Sequence, residues 1–131
     1  MKVLALDYGS ARTGVAVSDA TGTLARPLEV VRRAATAAGL ARVAELAAEH
    51  DVERIVVGLP LTLRGERGEQ VRETERFVAA LAGAVSVPVE TYDERFTTAL
   101  AAQSGSSRAP EDARAAAFLL ASYLEHEGSS G

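Results

Sequence analysis

The order of the predicted secondary-structure elements constrains this fold more than any other feature of the sequence. Three short segments with strand-like apolar patterns fall within the first 31 residues and are separated by turns that contain glycine. Segments with helical spacing then alternate with further strand-like segments. A meander followed by β–α units implies an α/β fold with a mixed five-stranded sheet flanked by helices. The predicted strands are residues 3–6, 13–18, 24–31, 54–58 and 85–92, and the predicted helices are residues 36–50, 68–81, 97–103 and 110–125.

Length and composition predict a single globular domain. The chain has 131 residues, of which 47% are hydrophobic and 24% are charged, an ordinary balance for a folded domain. A chain of this length buries roughly two-thirds of its unfolded surface. We therefore expect one domain over residues 1–126. Residues 127–131, which are rich in glycine and serine, are predicted to form a disordered tail.

Several residue types and segments are absent, and their absence excludes whole classes of site. The sequence has no cysteine, so disulfides and thiolate metal sites are excluded. His50 and His126 lie far apart in the sequence, which argues against a zinc site built from them. No apolar run approaches the roughly 20 residues that span a membrane, and the apolar start of the chain reaches Asp7 too early for a signal peptide. These observations predict a cytoplasmic protein that does not contact a membrane.

The charge of the chain leaves nucleic-acid binding open. A net charge of −4 is weak evidence against it, because nucleic-acid-binding proteins usually carry a basic surface, although local patches matter more than totals. Arginine supplies almost all of the positive charge, and arginine suits bidentate phosphate contacts better than lysine does. Arg64 and Arg67, between the fourth predicted strand and the second predicted helix, are candidates for such contacts. The alternative for each is a solvated surface arginine.

Four carboxylates occupy positions where a catalytic metal could bind. Asp7 directly follows the first predicted strand, and Asp93 and Glu94 directly follow the last one. Asp112 lies in the first turn of the final predicted helix. Carboxylates at strand ends and at a helix start can converge in a cleft, and their oxygens are the ligands that Mg²⁺ prefers. Two such ions about 4 Å apart can activate a water and stabilise the leaving oxygen in phosphodiester cleavage.

Each of these carboxylates also has a purely structural interpretation. Asp7 could stabilise the turn that follows it, because aspartate is common in turns. Asp93 and Glu94 could form an acidic cluster at a helix N-terminus. Asp112 follows Pro110 in an ordinary helix start, but it also lies at helical spacing from the apolar residues of that helix. An acid on such a stripe needs a partner or a metal, so both interpretations remain open.

Four segments, in the right order, resemble the motifs of the YqgF/RuvX family of Holliday-junction resolvase-like nucleases. The first motif begins Asp-Tyr-Gly-Ser and the third is Asp-Glu-Arg-Phe-Thr-Thr in this chain. Together the four segments cover essentially the whole chain. The opening motif is matched by residues 7–19, the second by residues 56–61 with Gly65, the third by residues 93–98, and the C-terminal helix by Asp112 with residues 115–124.

The resemblance implies an RNase H-like fold in the bacterial cytoplasm and a nuclease that acts on structured nucleic acid, either RNA or branched DNA. The roles proposed for the family are maturation of the 5′ end of 16S ribosomal RNA, a step of ribosome biogenesis, and resolution of Holliday junctions. By position, Asp7, Glu94 and Asp112 would be the catalytic acids and would hold two Mg²⁺ or Mn²⁺ ions, with Asp93 as the alternative to Glu94. A monomer and a homodimer are both compatible with this, since only a resolvase needs paired active sites.

The resemblance also assigns roles to residues around the acids. Arg12 and Arg95 would contact phosphate or brace the site, and the alternative for both is a salt bridge to those same acids. Residues 58–60 would shape the wall of the cleft, and Thr97 and Thr98 would cap a helix.

One segment departs from the family pattern. Residues 99–108 are shorter and less basic than the corresponding segment of the family. A shorter connection would change the position of Asp112 relative to the other acids. Glu111, the residue before it, is therefore an alternative ligand. Fewer basic residues would also weaken the affinity for a nucleic-acid substrate.

Two other functions are consistent with parts of the sequence. The turn after the first strand, together with the strand that follows it, resembles the phosphate-binding hairpin of actin-like and sugar kinases, in which backbone N–H groups cradle phosphates. Such kinases need a second domain, for which 131 residues leave no room. The other candidate is a non-catalytic nucleic-acid-binding or ribosome-associated module with the same fold, which the acidic composition supports. Metal-dependent nuclease activity is the function that we predict.

Overall fold

A five-stranded mixed sheet forms the centre of the molecule, which confirms the predicted fold class. The computed structural model describes residues 1–61, 68–96 and 111–130. The strands are β1 (Val3–Asp7), β2 (Arg12–Ser18), β3 (Ala25–Arg32), β4 (Arg54–Leu59) and β5 (Val89–Asp93). Their order in the sheet is β3-β2-β1-β4-β5. The β1–β2 and β2–β3 pairs are antiparallel, and the β1–β4 and β4–β5 pairs are parallel.

Helices cover both faces of this sheet. Those in the described residues are α1 (Ala37–Glu49), α2 (Glu69–Ala84) and α3 (Glu111–Ser130), and a 3₁₀ turn (Glu94–Phe96) follows β5. Helices α1 and α2 pack on one face, and α3 packs on the other face against β1, β2 and β3. None of the helices in the described part of the chain is long and apolar enough to cross a membrane.

Alternation of side chains along the central strands gives the molecule two cores. In β1, Leu4 and Leu6 belong to the core beneath α1 and α2, whereas Val3 and Ala5 belong to the core beneath α3. All four side chains are fully buried. A strand that is buried on both faces has no polar positions, which is why the strand reads as an unbroken apolar run.

The fifth strand is shorter than the sequence predicts, and the helix before it is longer. The strand was predicted over residues 85–92, but it begins only at Val89. Pro88 has no N–H to donate to a neighbouring strand. It contributes only its carbonyl, which accepts a hydrogen bond from the Ile55 N–H at 2.9 Å. Helix α2, predicted to end at residue 81, continues to Ala84, and the Val85 N–H donates to the Leu81 carbonyl at 3.1 Å.

The last helix also differs from its predicted bounds. The sequence predicts that it ends at residue 125, but its backbone is helical through Ser130. The disordered tail over residues 127–131 stays a prediction. Glycine and serine lower helix propensity without abolishing the repeating backbone hydrogen bonds, so they do not force the helix to end. The predicted helix over residues 97–103 and the side chains of Arg64, Arg67, Thr97 and Thr98 lie outside the described residues.

Candidate active site

The rule of alternating side chains decides which carboxylates meet at the end of the sheet. Asp7 ends β1 in phase with Val3 and Ala5, so it belongs to the α3 face. In β5, Tyr92 lies in the α3 core, and Glu94 follows two positions later at the start of the 3₁₀ turn. Because β1, β4 and β5 run parallel, the ends of β1 and β5 lie at the same edge of the sheet.

Asp7 and Glu94 are in direct contact, and their pKa values show the effect. Burial, together with the charge of Asp7, raises the pKa of Glu94 to about 7. Burial also raises the pKa of Asp7, although its hydrogen bond with Glu94 opposes the rise. A protonated Glu94 therefore donates to the Asp7 carboxylate. Two half-buried acids that share one proton form a pair that a cation would stabilise.

A glycine in β4 provides the space for the Glu94 side chain. Gly58 lies on the α3 face of the sheet, and a Cβ added there would be 2.9 Å from Glu94 Cγ and 3.0 Å from Leu119 Cδ2. Both distances are shorter than ordinary carbon contacts, so any larger residue at position 58 would displace the acid or the helix. Of residues 58–60, which were predicted to shape the cleft wall, Gly58 makes room for Glu94 and Pro60 lines the cleft.

A second glycine sets the position of Asp112. Gly14 pairs with Asp7 across β1 and β2, and a Cβ added at Gly14 would lie only 1.8 Å from the Asp112 carbonyl oxygen. The start of α3 therefore rests directly on the sheet beside Asp7. The negative charge of Asp112 is close enough to contribute to the raised pKa of Asp7.

The side chain of Asp112 is paired with Arg12. The Arg12 Nε and Asp112 Oδ2 atoms are 3.3 Å apart, and the Arg12 side chain is 63% exposed. Arg12 thus adopts the salt bridge that was the alternative to a phosphate contact. These two residues also border a cavity of about 310 Å³ with Val30, Arg32 and Glu111.

The Asp93 side chain pairs with Arg95 rather than with Asp7. The Arg95 Nε donates to Asp93 Oδ2 at 2.9 Å, and the backbone N–H of Arg95 donates to Asp93 Oδ1 at 2.9 Å. These hydrogen bonds lower the pKa of Asp93. Of the two acids after β5, the structure therefore brings Glu94 to Asp7 and pairs Asp93 with Arg95.

A cleft of about 250 Å³ opens at the Asp7–Glu94 pair. One side of it comes from α2, through Gln70, Glu73 and Thr74, which sequence reasoning did not identify. Their spacing of three and four residues was the available signal, because it places them on one face of a helix. The complete lining is Asp7, Tyr8, Gly9, Ser10, Pro60, Gln70, Glu73, Thr74 and Glu94.

The carboxylates at this edge supply some, but not all, of the ligands that a hard divalent cation would need. Mg²⁺ commonly takes one or two protein carboxylates and completes its coordination with water and phosphate, which Asp7 and Glu94 can satisfy. Among the residues that the structure describes, no three His, Asp or Glu side chains are arranged to hold a metal ion. The third acid, Asp112, has its carboxylate at Arg12 instead.

The chain has an RNase H-like fold with an acidic pair at one edge of its sheet. The RuvC structure of Thermus thermophilus in complex with a Holliday junction superposes with a TM-score of 0.66 at 22% identity, covering 96% of each chain. The family model described as RuvX, Holliday junction resolvase, matches residues 1–126. A relative from Chloroflexus aurantiacus, named a putative pre-16S rRNA nuclease, is 40% identical over 98% of this chain and 89% of its own. The chain therefore belongs to the RuvX family, which confirms a hydrolase of phosphodiester bonds.

The kinase-like interpretation also has a structural counterpart. The ROK hexokinase of Thermus thermophilus aligns with a TM-score of 0.51 and 27% identity, over 82% of this chain and 38% of the hexokinase. The alignment extends well beyond the strand–turn–strand unit that suggested a kinase, so it is a likeness of the fold. The family match over residues 1–126 decides in favour of the nuclease.

Proposed function

We propose that this chain is a divalent-metal-dependent nuclease that processes the 5′ end of pre-16S ribosomal RNA in the cytoplasm, with Asp7, Glu94 and Asp112 as its catalytic acids. The observation that carries the proposal is the contact between Asp7 and Glu94 at the bottom of an open cleft. The names of relatives such as the Chloroflexus protein support the RNA substrate. Holliday-junction DNA is the alternative substrate, and it would require a dimer with two paired sites.

The acids would act by positioning and by charge. Mg²⁺ or Mn²⁺ would supply charge neutralisation at the scissile phosphate and would make a water nucleophilic. Asp7 and Glu94 would give up their shared proton on cation binding, because the cation would replace the proton as the charge that offsets two half-buried carboxylates. In a two-ion site, Asp7, Glu94 and Asp112 would together hold the ions.

Arg12 and Asp112 would separate when substrate binds. An exposed ion pair contributes little to stability, since water screens it. A phosphate group could therefore take over the Arg12 guanidinium through bidentate hydrogen bonds. Asp112 would then be released toward Asp7, which its backbone already adjoins through the Gly14 contact.

The direct test is cleavage of labelled 16S precursor RNA and of a four-way DNA junction, with Mg²⁺, with Mn²⁺ and with a chelator. Metal-dependent cleavage of the RNA alone would support the proposal. Preference for the junction would assign the resolvase role instead. RNA binding without cleavage under any metal would favour the non-catalytic module, in which the Arg12–Asp112 pair is permanent.

Glu94 and Asp93 can be distinguished by matched substitutions. We expect Glu94→Gln to reduce kcat/KM for RNA by about 10²-fold or more, because it removes a charged ligand in the cleft. Asp93→Asn should reduce it less than about tenfold, because Asp93 pairs with Arg95 outside the cleft lining. Steady-state cleavage kinetics provide the measurement. Equal losses in the two variants would contradict the assignment of Glu94 as the ligand.

Metal binding can also be detected without any cleavage. We expect millimolar Mg²⁺ or Mn²⁺ to raise the thermal midpoint of the wild-type protein by a few degrees, because a ligand that binds only the folded state stabilises it. Glu94→Gln should largely lose this shift, whereas Asp93→Asn should keep it. Differential scanning calorimetry with and without metal measures the effect. A shift that persists in Glu94→Gln would place the metal elsewhere.

A further inference from the structure

A second cavity adjoins the cleft, and neither the proposed metal site nor the proposed reaction uses it. It has a volume of about 310 Å³, at the lower end of the range of about 300–1,000 Å³ that is typical of small-ligand sites. Tyr8 and Glu73 line both this cavity and the cleft that holds Asp7 and Glu94. A group in the second cavity would therefore lie next to a phosphate at the acids. The lining residues are Tyr8, Ala35, Glu73, Arg76, Phe77 and Ala80.

Tyr8, which lines both spaces, is part of an aromatic stack. Tyr8 immediately follows Asp7 and packs against the α1–α2 core rather than the α3 core. Its ring lies on that of Phe77, with 4.5 Å between the ring centroids and an angle of 20° between the planes. Phe77 is only 2% exposed, whereas Tyr8 is half-buried. The accessible aromatic surface of the stack therefore belongs to Tyr8.

The rim of the cavity carries both a hydrogen-bond acceptor and a donor. Glu73 and Arg76 are three residues apart on α2, so their side chains project from neighbouring positions on one helix face. Arg76 Nη2 is 3.3 Å from Glu69 Oε1, in an exposed pair that a ligand can exchange. The floor is apolar, from Ala35, Phe77 and Ala80. An aromatic surface with an acceptor and a donor at its edge is the combination that recognises an unpaired nucleobase.

We propose that this cavity holds the unpaired base of a nucleotide next to the scissile phosphate, stacked against Tyr8, with Glu73 and Arg76 at its polar edge. The proposal rests on the nuclease function and deepens it, since it specifies a single-stranded nucleotide beside the cut. A base that is paired within a duplex cannot enter the cavity. The enzyme would therefore select unpaired positions in an RNA by the availability of the base, in addition to its contacts with phosphate.

The test uses an RNA oligonucleotide with the sequence around the 16S 5′ processing site. A 2-aminopurine is placed at each position in turn, and fluorescence is recorded on binding in the presence of chelator. We expect strong quenching at one position beside the cut. Tyr8→Leu should lose most of that quenching while retaining RNA binding, and Tyr8→Phe should keep it, because phenylalanine preserves the stacking ring.

An abasic scan of the wild-type protein provides a measurement that needs no variant. Removing the base at the quenched position should reduce kcat/KM by about tenfold, in line with the loss of one stacked base. Removing a base several positions away should have little effect. In Tyr8→Leu the two abasic substrates should be cleaved equally well.

The outcomes separate this proposal from the nuclease function. RNA cleavage with no position-specific quenching and no abasic effect would overturn the base site and leave the nuclease intact. Quenching that depends on the Tyr8 ring, without cleavage under any metal, would support the base site and overturn the nuclease. Failure of the wild-type protein to bind this RNA would overturn both the base site and the proposed RNA substrate, and cleavage of the DNA junction would then test the nuclease function separately.

Discussion

Asp7→Asn should reduce RNA cleavage by about 10³-fold or more without loss of the fold. Asparagine keeps the volume and the hydrogen-bonding capacity of the side chain but removes the negative charge that a metal ion requires. Transition-state stabilisation by a bound metal is on the order of several kcal/mol, and each 1.4 kcal/mol corresponds to about tenfold in rate. Cleavage kinetics with protein purified free of host nucleases provide the measurement.

The stability of Asp7→Asn distinguishes a lost ligand from a lost fold. Burial raises the pKa of Asp7, so in the metal-free protein its charged form destabilises the folded state near neutral pH. The neutral asparagine removes that effect, and we expect a thermal midpoint at or above that of the wild-type protein without metal. Full activity in a correctly folded Asp7→Asn protein would exclude Asp7 from catalysis.

Gly14→Ala should lower both activity and stability, although the residue carries no chemical group. A Cβ at this position would lie 1.8 Å from the Asp112 carbonyl oxygen and 2.3 Å from its carbonyl carbon, so the start of α3 would have to move. We expect a loss of about 1–3 kcal/mol in the free energy of unfolding, as for other overpacked sites. Since a displacement of 1 Å can lower a rate about 10²-fold, activity should fall by a similar factor.

Helix α2 offers the matched control for Gly14→Ala. Gly83 has nothing within 4 Å of its ideal Cβ position, so alanine there meets no steric obstacle. Alanine favours a helix by about 1 kcal/mol over glycine, and Gly83→Ala should leave cleavage unchanged and slightly raise stability. Urea unfolding and cleavage kinetics on both variants make the comparison. Comparable activity in the two variants would show that the Gly14 contact does not position Asp112.

Much of the sheet could be predicted because its signals are local. The apolar runs of β1 and β4 have no polar positions, and such runs indicate strands buried on both faces. Pro27 lies in edge strand β3, whose register with β2 shifts between Val15 and Ala16, and an edge or a bulge is where a strand tolerates proline. Pro88 was less informative. A proline shows that one backbone hydrogen bond is missing, but it does not show that β5 begins only after it.

The sequence singled out these carboxylates but left their partners open. The choice between Asp93 and Glu94 depends on the twist of the chain through a 3₁₀ turn, which places one side chain at Asp7 and the other at Arg95. The pairing of Arg12 with Asp112 joins residues 100 positions apart, so no local pattern could distinguish it from a phosphate contact. The contribution of α2 was missed because a polar helix face is usually a solvated one.

The two cores place Asp7 and Asp112, two of the proposed catalytic acids, in separate regions of stability. Asp7 belongs to the central sheet, whereas Asp112 belongs to α3, which among the described helices is the one that packs on its face of the sheet, over its own core. Segments with separate cores can open without global unfolding. Transient detachment of α3 would remove one acid from the site while α1, α2 and the sheet stay folded. On warming, the enzyme would therefore lose activity through this local opening before the sheet unfolds. The residues buried under α3 would then determine the temperature at which activity is lost.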